Sequence, residues 1–241
     1  YRIMLKGYII TLDNNQESVE ATHKCIGSIR NTKSEIDPSV FVATVPRQIK
    51  RHLEEIDMGG VVWTYPLTKE EDGLDIKTGL YLRHYPTKKI SNRTACMVSH
   101  MRLWHKCATG KKPIIILEHD AIFTRKFVFE PLEKEFKGGI LGLNDPRGAT
   151  RRSDVFHNVA SSKMGLQPVP SVDDVEVPQG LAGNSAYLIT PKGAKKLLDK
   201  VREVGLWPND AVMCKQFFPW MQVVYPYYTT IQRGLKSTTS S

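Results

Sequence analysis

This 241-residue chain has no long apolar run. Nothing in it approaches the roughly 18 consecutive apolar residues that a membrane-crossing helix needs, so no integral membrane segment is expected. Cysteine is scarce. Cys25, Cys96, Cys107 and Cys214 lie far apart with no CxxC pair, which argues against a disulfide framework or a zinc site and for reduced, partly buried thiols in a cytoplasmic protein. No secretory leader and no internal repeat are visible. What is present is an ordinary globular composition, 41% hydrophobic and 24% charged, enough for one large domain or two small ones. Lysine and arginine number 34 against 25 acids, a net charge of +9. That surplus favours a polyanionic partner such as nucleic acid, an acidic membrane surface or a phosphorylated glycan.

Hydrophobic periodicity lays out alternating strands and helices. A β-rich run at 7–12 ends at Asp13-Asn14-Asn15, and a helix is expected over 16–30. A strand at 39–45, a helix through Ile49, Leu53 and Ile56, and a short strand at 61–65 follow. The polar stretch 66–91 reads as loop or a short helix, and 94–108 as a helix with Met97, Met101, Leu103 and Trp104 inward. After it come a short helix within 123–136, a buried strand at 140–143, a strand at 183–190, an amphipathic helix from Pro191 to about Val204 and a late strand at 223–226. The tail 236–241 is polar and expected to fray. The fold class is therefore α/β, with a Rossmann-type, mainly parallel sheet flanked by helices. One domain over 1–241 is expected, 1–143 forming one half and 144–241 the other, with a long loop at 144–179 that is functional or mobile.

The densest signal is Lys112-Pro113-Ile114-Ile115-Ile116-Leu117-Glu118-His119-Asp120-Ala121. Four aliphatic residues after a proline read as a buried strand, which delivers two carboxylates at its carboxyl end, where open α/β sheets bind ligands. Residues i and i+2 of an extended segment point the same way, so Glu118 and Asp120 share a crevice. Two acids placed so repel and lose hydration unless a cation or donor groups compensate; a divalent metal carrying a diphosphate is one such cation. The bland reading is an acidic N-cap on a following helix.

Four segments together resemble glycosyltransferase family 25, the lipopolysaccharide and collagen galactosyltransferases. Tyr8-Ile9-Ile10-Thr11-Leu12-Asp13 is similar to the family's opening strand, and Ala95-Cys96-Met97-Val98-Ser99-His100-Met101-Arg102-Leu103-Trp104 to its small-Cys-x-x-Ser-His-x-x-x-Trp helix. Ile116-Leu117-Glu118-His119-Asp120-Ala121 resembles its Leu-Glu-Asp-Asp-Ala block, and 183–194 its Tyr-Leu-Ile-Ser-Pro-x-Gly-Ala segment. The segments run in family order over most of the chain. The resemblance implies a GT-A fold, a UDP-sugar donor, and Mn²⁺ or Mg²⁺ at the acidic motif. The chain departs from the pattern at His119, where the family usually has an acid; alternation points that side chain away from the crevice.

From the resemblance, Asp120 is the first metal ligand, with Glu118 either a second ligand or an acceptor from the nucleotide ribose. Thr11 and Leu12, in the opening strand, are placed against the nucleotide. Ser99 and His100 sit on a helix near it, His100 reaching a phosphate or ribose or else resting as a semi-buried histidine. Arg93 contacts the diphosphate near a helix start or is simply solvated. Asp210, in Trp207-Pro208-Asn209-Asp210, is the general base for the acceptor hydroxyl, a metal ligand or a helix cap. Asn184 and Gln232 donate to sugar hydroxyls or phosphate. Trp207, Trp220, Tyr227 and Tyr228 stack on sugar or base, or fill the core.

The implied reaction is inverting displacement at the anomeric carbon. The acceptor is polyanionic: a hydroxymethylated pyrimidine in DNA, as certain bacteriophage glycosyltransferases modify (the setting then being the host cytoplasm), or a lipopolysaccharide sugar. DNA is slightly favoured because no amphipathic membrane helix is evident. Arg147, Arg151, Arg152 and Lys163, with Arg47-Gln48-Ile49-Lys50-Arg51, are the residues expected to track phosphates. The competing class is a non-catalytic nucleic-acid- or glycan-binding module on a degenerate GT-A scaffold, with His119 as its support.

Overall fold

A computed structural model describes residues 4–147 and 152–235. Arg151 and the tail 236–241 lie outside the described residues. The chain runs β1 (Leu5–Thr11), α1 (Gln16–Asn31), β2 (Ile36–Val42), α2 (Ile49–Glu55), β3 (Gly73–Asp75), β4 (Leu80–Leu82), α3 (Ile90–Ala108), β5 (Ile114–Glu118) and β6 (Ala121–Phe123). It continues through α4 (Glu130–Glu133), β7 (Ile140–Gly142), α5 (Ser153–Ser161), β8 (Gly165–Pro168), β9 (Ala186–Ile189), α6 (Pro191–Val204), α7 (Asn209–Val212), β10 (Gln222–Tyr225) and β11 (Thr229–Ile231).

Seven strands form the central sheet in the order β2-β1-β5-β9-β7-β10-β8. β2, β1 and β5 are parallel, as are β7 and β10. β9 runs antiparallel between β5 and β7, and β8 antiparallel at the edge. This is the mainly parallel, helix-flanked α/β sheet that the periodicity implied, with the late strand β9 set between two earlier ones.

The aliphatic run of β5 serves both faces, as a buried parallel strand must. Ile115 and Leu117 join Ile9, Cys25 and Ile29 on the α1 face. Ile114 and Ile116 join Met97, Met101 and Trp104 on the α3 face. Glu118, two residues beyond Ile116, follows that second parity and emerges beside α3.

Several expectations need correcting. β2 starts earlier than expected and contains Pro38, which an edge strand accommodates. Residues 61–65 add no sheet strand, because Trp63 bridges only to Leu206. The polar stretch 66–91 contains the β3–β4 hairpin. The expected loop 144–179 holds α5 and the edge strand β8.

Candidate active site

The carboxyl end of β5 opens into a cleft of about 730 Å³, whose walls include Arg93, Glu118, Asp120, Asn184 and Asp210. β5 ends at Glu118, and the chain turns through His119 and Asp120 before β6. Glu118 takes its side from the strand parity, whereas Asp120 reaches the cleft by way of this turn rather than by continued strand alternation. Gly180 is required in the opposite wall. It bridges to Cys214, and a Cβ there would collide with the Met213 carbonyl.

The two acids are electrostatically unequal. Burial pushes the Glu118 carboxyl up, but the hydrogen bond and charge of His100, with His119, more than offset it and hold Glu118 below its ordinary range. Burial, then the Glu118 charge, push Asp120 up to about 7, with Ser185 opposing. Asp120 Oδ1 is buried and, among the described residues, has no hydrogen-bond partner. Asn184 Oδ1 and Gln232 Oε1 are in the same condition; the fourth such atom, Arg125 Nε, belongs to a guanidinium lying over the Tyr228 ring. Gln232 adjoins the acidic turn, donating its backbone N–H to the Asp120 carbonyl at 2.8 Å and its side-chain amide to the His119 carbonyl at 3.1 Å.

Unsatisfied buried polar atoms are costly. Here Asp120 and Asn184 line the cleft, Asp120 pushed toward neutrality by burial and then by the Glu118 charge, while Gln232 braces the acidic turn. An all-oxygen set of carboxylates and amides suits a hard divalent cation, so the residues fit Mn²⁺ or Mg²⁺. A softer cluster exists alongside: the ligand atoms of Cys96, His100 and Glu118 lie within 4.8 Å of one another. It fits a thiolate-preferring metal poorly. His100 Nε2 is already bonded to Glu118, and burial followed by the Glu118 and Asp210 charges raises the Cys96 thiol well above its ordinary value.

Asp210 lies in the first turn of α7, whose cap position is Pro208, so it is not the helix cap. Burial raises its carboxyl, and Arg93 is the largest opposing influence. Arg93 is steered over the Tyr85 ring and donates Nε to Thr87 Oγ1 at 2.7 Å.

Other expected residues stand behind the cleft. Thr11 has the parity of Ile9 and faces α1, where its hydroxyl bonds the Ile9 carbonyl and Thr22. The Leu12 backbone N–H is bound by Ser18. Ser99 Oγ donates to the Ala95 carbonyl and accepts the Thr44 N–H. His100 is wholly buried, with both ring nitrogens engaged by Tyr187 and Glu118. None of these four lines the cleft, and neither does Gln232. Trp207, Tyr227 and Tyr228 are core residues, and Trp220 lies beneath Lys196.

Sequence reasoning missed one pair. On the cleft wall, His84 Nδ1 is 3.0 Å from Asp72 Oδ1, which also accepts the His84 backbone N–H. The eleven residues between them cross a polar stretch with no periodicity, so no sequence signal joins them.

A mainly parallel sheet that feeds carboxylates from a strand end into a cleft defines an α/β protein with a ligand-binding site at the carboxyl edge of its sheet. The model of glycosyltransferase family 25 (LPS biosynthesis protein) matches residues 4–213. The chain belongs to that family and is a glycosyltransferase, which sets aside the non-catalytic module. No curated protein matches. Among solved structures it is similar to the galactosyltransferase LgtC in complex with donor and acceptor sugar analogues, at 10% identity over 95% of this chain and 87% of that one, TM-score 0.43. An active-site mutant of LgtC matches at 11% identity over 97% and 89%, and apo mouse xyloside xylosyltransferase 1 at 11% over 93% and 85%, both with TM-score 0.43. At that distance nothing about donor, acceptor or mechanism transfers.

Proposed function

We propose that the protein transfers a sugar from a UDP-sugar to a hydroxyl acceptor, with Mn²⁺ or Mg²⁺ bound at Asp120 and Glu118, in the cytoplasm, where its four unpaired cysteines stay reduced. The observation that carries this reading is Asp120 Oδ1, buried without a partner beside a second acid in the cleft. When bound, the cation supplies charge stabilisation for the departing nucleoside diphosphate. Arg93 adds a fixed positive charge on the same wall. Asn184 supplies an amide group to the donor side, and Gln232, its side-chain nitrogen held by the Ala21 and His119 carbonyls, braces the acidic turn. Asp210, its affinity for protons raised by burial, takes the proton of the acceptor hydroxyl. That oxygen attacks the anomeric carbon, the bond from that carbon to the diphosphate breaks, and the configuration inverts.

A glycan hydroxyl is the better-supported acceptor. Two of the loop arginines nominated to track DNA phosphates are already engaged: Arg147 pairs with Asp145 at 2.7 Å, and Arg152 with Asp173 at 3.6 Å. The family's lipopolysaccharide description points the same way. No helix among the described residues is long and apolar enough to cross a membrane.

The test incubates the protein with a panel of UDP-sugars, Mn²⁺, and either lipooligosaccharide or hydroxymethylcytosine-containing duplex DNA. Mass spectrometry reads the increment of one sugar. Lipooligosaccharide is expected to gain it, and Asp120→Asn to lower turnover by about a hundred-fold or more. Labelling of the DNA alone would replace the acceptor assignment. Full activity in EDTA, or in Asp120→Asn, would remove the metal reading.

A further inference from the structure

Three segments distant in sequence meet in one buried hydrogen-bond chain. Trp104 Nε1–H donates to Tyr187 Oη at 2.8 Å, Tyr187 Oη lies 2.8 Å from His100 Nδ1, and His100 Nε2 lies 3.1 Å from Glu118 Oε1. Trp104, His100 and Tyr187 have no solvent-exposed surface, whereas the Glu118 side chain is 30% exposed and lines the cleft. The chain therefore runs from the core to the substrate space.

The direction of its hydrogen bonds follows from chemistry. Indole N–H only donates, so Tyr187 Oη accepts from Trp104 and retains its own proton. An ionised Glu118 only accepts, so His100 Nε2 must carry a hydrogen. In the neutral ring, Nδ1 is then the lone-pair nitrogen, and it receives the Tyr187 hydroxyl proton. Trp104 and Tyr187 thus set the tautomer that His100 presents to the acid. His100 and Trp104 are four apart on α3 and share its sheet-facing side; the Tyr187 ring stacks on His100 at 13°.

We propose that His100 is a positioning residue for sugar transfer: it touches no substrate, but anchors Glu118 Oε1 from inside the core, leaving Oε2 as the one Glu118 oxygen offered to the cleft. This assignment rests on the sugar-transfer reading and deepens it. It also gives a physical reason for the residue types in three of the four family-like segments, because a donor-only indole, a phenol, an imidazole and a carboxylate make a chain with one self-consistent polarity. Glu118 is held to a single free oxygen, whereas Asp120 keeps its unpartnered one, so the two acids are not interchangeable.

The experiment compares His100→Gln, His100→Asn and Tyr187→Phe with the wild type. A glutamine amide nitrogen reaches the place of Nε2, whereas the shorter asparagine reaches only that of Nδ1. Calorimetric titration with UDP in the presence of Mn²⁺ reads affinity, thermal unfolding reads folding, and kcat and KM for the UDP-sugar read turnover. His100→Asn is expected to weaken UDP binding and lower kcat by about 10–100-fold, the usual cost of losing a residue that orients a metal ligand. His100→Gln is expected to restore binding to within about three-fold and Tyr187→Phe to fall between them, with similar unfolding temperatures for all folded variants. Equal loss in the glutamine and asparagine variants, or no loss in either, overturns the proposal. If neither His100 variant folds, Tyr187→Phe decides, and unchanged UDP affinity and kcat in it overturn the proposal. Failure of the wild type to bind UDP with Mn²⁺ overturns the underlying sugar-transfer reading instead.

Discussion

Asp120 destabilises the protein until something binds it. Its folded-state pKa of about 7 stands above the ordinary carboxyl value of 3.8, so the folded chain holds a proton that the unfolded chain releases. The sign follows from linkage: the penalty is absent below about pH 4, grows as pH rises, and is complete above about pH 7. Glu118 behaves oppositely, its depressed pKa contributing stability that is lost on acidification. The two are separated by substitution. In EDTA at pH 8, Asp120→Asn is expected to be more stable than the wild type by about 2 kcal/mol, which allows for solvent screening in an open cleft. The difference should shrink towards zero near pH 4. Chemical denaturation at both pH values measures it; a variant less stable than wild type at pH 8 would mean that the acids do not repel in the empty site.

Among the elements, α6 is the most cleanly specified, and its start depends on one hydroxyl. Thr190 accepts the Gly193 N–H and Pro191 fills the first helical turn. Thr190→Ala should cost about 1 kcal/mol of stability while leaving UDP affinity unchanged, since the cap lies at the opposite end of the sheet from the acids. Those local signals are why α6 was legible in the sequence, as was β5 from its aliphatic run. The 61–65 run and β2 were less so, because edge and bridge positions depend on partners far away in the chain. The β3–β4 hairpin and the Asp72–His84 pair arise only from tertiary closure of a polar stretch. In the site, Glu118, Asp120, Asn184 and Asp210 could be placed from their segments. Thr11, Ser99 and His100 were not, because which face a strand or helix residue takes is settled by neighbouring layers, and all three point into one.

At the scale of the whole molecule, ligand binding and stability are linked. UDP with Mn²⁺ at about a hundred times its dissociation constant should stabilise the fold by about 2.7 kcal/mol. For a chain of this size that raises the melting temperature by about 5–10 °C. UDP in EDTA should give far less, and equal shifts with and without metal would count against a shared site.

The antiparallel strand β9 lies between β5 and β7 although it follows both in the chain. During synthesis the ribosome must therefore deliver residue 189 before the acid-bearing strand gains its second neighbour. Until then the open side of Ile114–Leu117, the most aliphatic stretch of the sheet, is an unclosed seam available to other nascent chains. A product ending ahead of β9 is expected to be recovered as insoluble aggregate rather than as a half-assembled enzyme.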